Sequence, residues 1–225
     1  VRRLLAAFVA VLAAWLAGAS GAAAQSGAPA LQARAAIVME ASTGDVLYSK
    51  NSRQRRSIAS ATKLMTVLVA LQRTDLDDIF TAANYHAGPG ESQIGLRPGE
   101  RMSVRDLLRA TLLPSANDAA AAIAVGTMGS TQAFVAEMNK RAQALGLRDT
   151  HYTTPVGLDD PANYSSARDL AALAVRLRAY EFFRRTTDLP RATLRSGARK
   201  RTVINRNTLV RNVEAVNGVK TGHTS

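Results

Sequence analysis

Between Ser57 and Thr187 apolar residues recur three or four positions apart, with polar ones between them. That is the period of helices that bury one stripe. Leu64, Leu68 and Leu71, beside Val67 and Ala70, predict a helix from Ser60 to about Arg73. Ser103 with Asp106 three positions on, and Ser166 with Asp169, read as capping boxes opening helices over Ser103–Leu113 and Ser166–Thr187. Pro114 closes the first of these, an alanine-rich helix spans Asn117–Met128, and Gly146 stops another over Ser130–Leu145. Outside the block the period changes. Ala35–Met39 and Val46–Ser49, joined through Ser42-Thr43-Gly44, read as a hairpin, and strands return at Arg201–Ile204 and Val216–Thr221. Strands, then helices, then strands predict an α+β fold: an antiparallel sheet beside a mostly helical subdomain, with a cleft between them. No internal repeat breaks this order.

The ends change the picture. Residues 1–24 have the composition of a secretory signal peptide: Arg2-Arg3, an apolar run from Leu4 to about Ala17, and Ala22-Ala23-Ala24 as an A-x-A cleavage site. Residues 25–33 read as a small-residue linker and 34–225 as the catalytic domain. The expected location is outside the cytoplasmic membrane, periplasmic or on the cell-wall side. The chain has no cysteine, which excludes thiol nucleophiles and thiolate metal sites. The net charge of +12 suits a solvated basic surface, or one drawn to anionic wall polymers or headgroups. Nucleic acid is not an expected partner, because the arginine-rich stretch from Arg184 to Arg201 has no interleaved stacking aromatics. The three histidines, His86, His151 and His223, show no metal-ligand spacing, and no glycine-rich phosphate loop is present. No metal or cofactor is expected.

Three triplets carry the candidate chemistry. Ser60-Ala61-Thr62-Lys63 opens the first predicted helix. Three residues turn a helix by about 300° and rise roughly 4.5 Å, so Ser60 and Lys63 share a face. A serine hydroxyl needs a base to become a nucleophile, and a lysine serves only if burial or a second cation lowers its pKa. Lys220 is a candidate second cation. The backbone N–H of Ser60, at a helix N-terminus, is a candidate half of an oxyanion hole. Ser115-Ala116-Asn117 falls in a tight helix–helix connection, where Ser115 could relay a proton and Asn117 could bind substrate and steady Lys63. Lys220-Thr221-Gly222 follows the turn signal Asn217-Gly218, on a strand edge that could pair with an extended peptide. Each triplet alone is ordinary cap, loop or strand-end chemistry. The three in this order are the set known from penicillin-binding proteins and class A β-lactamases.

The chain resembles the low-molecular-mass penicillin-binding proteins that act as serine-type D-alanyl-D-alanine carboxypeptidases, within the β-lactamase/DD-peptidase superfamily. The resemblance runs from about Arg34 to the end. It rests on the three triplets and their surroundings, among them Leu96-Arg97-Pro98-Gly99-Glu100, Gly157-Leu158-Asp159, Tyr164 to Leu170 and Gly218 to Thr224. It implies an acyl-enzyme on Ser60 with Lys63 as general base. Ser115, Asn117 and Lys220 would form the proton-transfer network. Thr221 and Arg206 would hold a terminal carboxylate, and the backbone N–H of His223, after Gly222, would complete the oxyanion hole. The implied substrate is a peptidoglycan stem peptide, and β-lactams are the implied inhibitors. The family's last sheet strands and C-terminal helix have no counterpart here, so a truncated and inactive chain is one expectation. Peripheral membrane association would run through that lost C-terminus. A DD-endopeptidase and an inactive wall-binding fragment are the alternatives. A β-lactamase would need a deacylating glutamate, and neither Glu137 nor Glu181 has the Glu-x-x-Leu-Asn context.

Overall fold

In a computed structural model, which describes residues 30–223, the helical block surrounds a single central helix. The predicted signal peptide lies outside the described residues. The elements, in order, are β1 (Ala36–Met39), β2 (Val46–Lys50), β3 (Arg56–Ser57), a 3-10 turn (Ala59–Thr62), α1 (Lys63–Arg73), β4 (Ile79–Thr81), β5 (Arg101–Ser103), α2 (Val104–Leu112), α3 (Asn117–Met128) and α4 (Thr131–Ala144). They continue with β6 (Tyr164–Ser165), α5 (Ala167–Arg178), α6 (Glu181–Thr187), β7 (Arg191–Leu194), β8 (Arg201–Ile204) and α7 (Thr208–Asn212).

The first helix was expected to bury one stripe. Instead every residue from Lys63 to Ala70 is buried, the signature of a helix packed on all sides. Helices α2, α3, α4 and α5 all pack against α1. The alanines of α3 are what allow it close: Ala119, Ala120, Ala122 and Ala124 are fully buried and offer little bulk between helix axes.

Both predicted capping boxes are half formed. Ser103 and Ser166 accept the backbone N–H of Asp106 and Asp169 as expected. The two carboxylates do not reach back. Asp106 accepts from the backbone N–H groups of Arg195 and Ser196 and from the Ser196 hydroxyl, tying α2 to the β7–β8 turn. Asp169 accepts from Asp149 N–H and the Thr150 hydroxyl. The long helix expected over Ser166–Thr187 breaks at Ala179-Tyr180, where Tyr180 turns extended (ψ 117°). The break re-aims the apolar face, so that Phe183 is buried as completely as Leu177.

The α+β class holds, but among the described residues the strands form four separate two-stranded antiparallel ribbons: β1–β2, β3–β6, β4–β5 and β7–β8. Strand β7 lies inside the arginine-rich stretch that sequence left unassigned. The expected strand Val216–Thr221 is a correction. Residues 216–223 contain no helix or strand, because no described strand lies along them to complete a ladder. Side chains hold them instead: Arg178 donates to the Asn217 carbonyl at 2.8 Å and Asn207 to the Gly218 carbonyl at 3.3 Å.

Candidate active site

Ser60 sits in the 3-10 turn that feeds α1, and Lys63 is the first residue of the helix proper. Neither is a cap. The turn is distorted: Ala59 has φ +44°, outside the ordinary range of a residue with a side chain. A loop is pressed against it. Gly157 (φ +81°) lies so close that an added Cβ would stand 2.0 Å from the Ala59 carbonyl oxygen, so only glycine fits. The same loop fastens α1, since Thr66 donates to the Pro155 carbonyl at 2.6 Å and Lys63 Nζ to the Val156 carbonyl at 2.6 Å. Asn163 adds a bond to the Thr62 hydroxyl at 2.9 Å.

Lys63 Nζ also donates to Ser60 Oγ at 3.0 Å, and the lysine side chain is completely buried. Burial drives its pKa down to about 7; the positive charges of Lys220 and Arg206 add to this, and Glu91 opposes it. At neutral pH a large share of the amine is therefore unprotonated and able to take the Ser60 proton.

The second triplet occupies the α2–α3 connection, as its proline and capping pattern predicted. Ser115 adopts the left-handed region (φ +65°). Its Oγ is buried and has no hydrogen-bond partner. Unpartnered buried hydroxyls are uncommon and point to a role beyond packing. Asn117 departs from expectation. Its side-chain amide does not meet Lys63; Nδ2 donates to Glu91 Oε2 at 2.7 Å.

The third triplet reaches the same place. An added Cβ on Gly222 would lie 3.0 Å from the Ile58 carbonyl oxygen, so this glycine lets the late segment lie against the Ser60 turn. Lys220 Nζ donates to the Thr221 carbonyl at 2.7 Å. Loss of water around its amine and the nearby Arg206 lower its pKa to about 7. Arg206 enters from the β8–α7 connection, fixed by its backbone bond to the Leu113 carbonyl at 3.0 Å.

A cavity of about 430 Å³ gathers these groups. Ser60, Ser115, Asn117, Arg206, Thr221, Gly222 and His223 all line it. Lys63 and Lys220 do not line it but are bonded to residues that do, Ser60 and Thr221. Sequence reasoning missed two residues. Glu91 lines the cavity, and Tyr85 donates its hydroxyl to Glu91. The stretch around them, rich in glycine and proline, has no periodicity, and a single carboxylate there gave no signal.

The fold matches solved DD-peptidases. The crystal structure of the DD-transpeptidase of Streptomyces K15 superposes with a TM-score of 0.80 at 34% identity, covering 87% of this chain and 82% of that one. Penicillin binding protein 6B of Escherichia coli gives a TM-score of 0.78 at 36% identity, covering 87% and 65%. Residues 22–225 match the D-alanyl-D-alanine carboxypeptidase family, and the chain belongs to it. Among curated relatives, D-alanyl-D-alanine carboxypeptidase DacF of Bacillus subtilis (strain 168) is 39% identical over 199 residues, 86% of this chain and 51% of the relative. The chain thus spans about half the length of that relative.

Proposed function

We propose that this chain carries the acyl-transfer centre of a serine-type D-alanyl-D-alanine carboxypeptidase. The observation that carries the proposal is the Ser60 Oγ–Lys63 Nζ contact of 3.0 Å, made by an amine whose pKa is about 7. Ser60 Oγ attacks the carbonyl of the penultimate D-alanine of a stem peptide while neutral Lys63 takes its proton. The backbone N–H groups of Ser60 and His223 are the donors for the resulting oxyanion. The C–N bond breaks, the terminal D-alanine leaves with a proton relayed through Ser115, and water then hydrolyses the Ser60 ester. Arg206 and Thr221 form the cationic and hydroxyl side of the cavity, with Lys220 adjoining Thr221, suited to the terminal carboxylate. Asn117 binds the substrate backbone. A β-lactam, being a cyclic amide with a carboxylate, acylates the same oxygen. The composition of residues 1–24 supports action outside the cytoplasmic membrane, where peptidoglycan lies.

The test is labelling by a fluorescent penicillin, with D-alanine release from a stem pentapeptide as the second readout. Labelling that disappears in Ser60→Ala is expected. A folded chain that never labels would sink the proposal. Cleavage of cross-linked muropeptides without release of terminal D-alanine would replace it with an endopeptidase.

A further inference from the structure

The geometry points to Glu91 as a positioning residue that fixes which face of the Asn117 amide the cleft receives. The inference rests on the acyl-transfer reading and deepens it. Segment 84–98 has no helix or strand, yet it is tied to the first turn of α3. Asn117 N–H donates to the Ser92 carbonyl at 2.7 Å. The Asp118 carboxylate accepts from Ile94 N–H at 3.1 Å and Leu96 N–H at 2.9 Å. Pro89, Gly90, Glu91 and Ser92 of this strap line the cavity beside Ser60 and Ser115, and Glu91 is the one of the four with an ionisable side chain.

A carboxylate only accepts hydrogen bonds. Asn117 must therefore turn its NH2 group to Glu91 Oε2, the 2.7 Å contact, and its carbonyl Oδ1 is left as the acceptor. An acceptor at this point is what the N–H groups of a substrate backbone require. Without Glu91 the amide could rotate by 180° and offer a donor instead, which repels the same groups. Glu91 is itself over-determined: its carboxylate accepts from Tyr85 OH, from Asn117 and, through Oε1, from Gly88 N–H at 2.9 Å. Burial pushes its pKa up, but these donors outweigh it and the net shift is downward. An anion satisfied by three donors is a poor base for water, so its place near the nucleophile does not make it a deacylating glutamate. Its remaining effect is electrostatic. It opposes Lys220 and Arg206 at Lys63, raising the pKa they lower.

The experiment measures the rate constant for acylation by a fluorescent penicillin, from pH 5.5 to 9, in the full chain and in Glu91→Gln, Glu91→Asp, Asn117→Ala and the double variant Glu91→Gln/Asn117→Ala. A hydrogen bond to a charged partner corresponds to a loss of about tenfold to a hundredfold when it is felt in the transition state. Glu91→Gln should lose that much, with Glu91→Asp recovering part of it. The double variant should be no slower than Asn117→Ala, because Glu91 acts through that amide. The acid limb of Glu91→Gln should also move to lower pH, since the charge that raised the Lys63 pKa is gone. Glu91→Gln rates equal to the parent, or losses that multiply in the double variant, overturn the inference. So does a rate loss that vanishes on cooling, which would mark a stability defect. No labelling of the unsubstituted chain fells the acyl-transfer reading and this inference with it. Labelling indifferent to residue 91 fells this inference alone.

Discussion

Two regions bring a lysine of pKa near 7 to one cavity, and they do so by different means. The Ser60–Lys63 turn is local: the partners are three residues apart, the second opens a helix buried on all sides, and the 155–157 loop locks both. The segment carrying Lys220 is remote. It lacks ladder bonds, and it reaches the cavity through Gly222 against Ile58 and through two side-chain bonds to its carbonyls. The first region puts chemistry inside the core, where stability and activity are coupled. The second puts it on a rim, where they can be separated.

The largest effect that would break this contrast is in Lys63→Met. The variant removes the base, and proton transfer by a positioned group is worth about 10²–10⁴-fold, so penicillin acylation should fall by that factor. Stability should change far less, because relief from burying an amine is offset by loss of its bond to the Val156 carbonyl; Tm should stay within about 2–4 °C of the parent. The pH dependence sharpens the point. The folded-state pKa of Lys63, about 7, lies below its ordinary 10.5. Between those values the unfolded chain holds a proton that the folded chain does not, so stability rises with pH across this window. Lys220 contributes the same sign. Lys63→Met should therefore flatten the rise between pH 7 and 9 in denaturant titrations without abolishing it. In the unsubstituted chain, the acylation rate should climb through a midpoint near pH 7 as Lys63 loses its proton. A profile flat from pH 5.5 to 9 would remove Lys63 from the role of base.

The same contrast explains how much was legible in the chain. Ser60 with Lys63 could be paired from helical spacing alone, and the Pro114 stop placed Ser115 and Asn117 in a connection. The capping serines were found, but the destinations of Asp106 and Asp169 were not, because their partners lie 89 and 20 residues away and spacing does not encode such distances. Residues 216–221 read as a strand from Val216, Val219 and the preceding turn. Strand propensity needs a neighbour to become a ladder, and none of the described strands provides one. Glu91 was invisible for a related reason: its meaning comes from Asn117, 26 positions on.

Two glycines set the regions against each other directly. Gly157→Ala strains a left-handed backbone and drives a Cβ to 2.0 Å from the Ala59 carbonyl oxygen. Strain of this kind is of order 1–3 kcal/mol, so Tm should drop by several degrees and acylation should fall with it. Gly222→Ala meets the Ile58 carbonyl oxygen at 3.0 Å, and the late segment can yield by a few tenths of an ångström. Its Tm should hold while acylation drops. A Gly222→Ala variant that melts as early as Gly157→Ala would mean that the rim is as deeply integrated as the turn.

The smallest effect is the most specific. Arg178→Ala removes the 2.8 Å bond to the Asn217 carbonyl, three residues before Lys220, along with an exposed 3.9 Å pair to Asp188 that contributes little. The bond is on the surface, and its net worth is about 1 kcal/mol. If residues 216–223 are held only at such points, loosening one lets Lys220 and Thr221 sample positions away from the cavity. Binding of the carboxylate should then weaken, so the penicillin concentration giving half-maximal acylation should rise about threefold to fivefold. The limiting rate, set by Ser60 and Lys63, should be unchanged, and so should Tm. A fall in the limiting rate with no change in half-saturation would show that the segment acts on the chemical step itself, and the separation of rim from core would fail at its weakest bond.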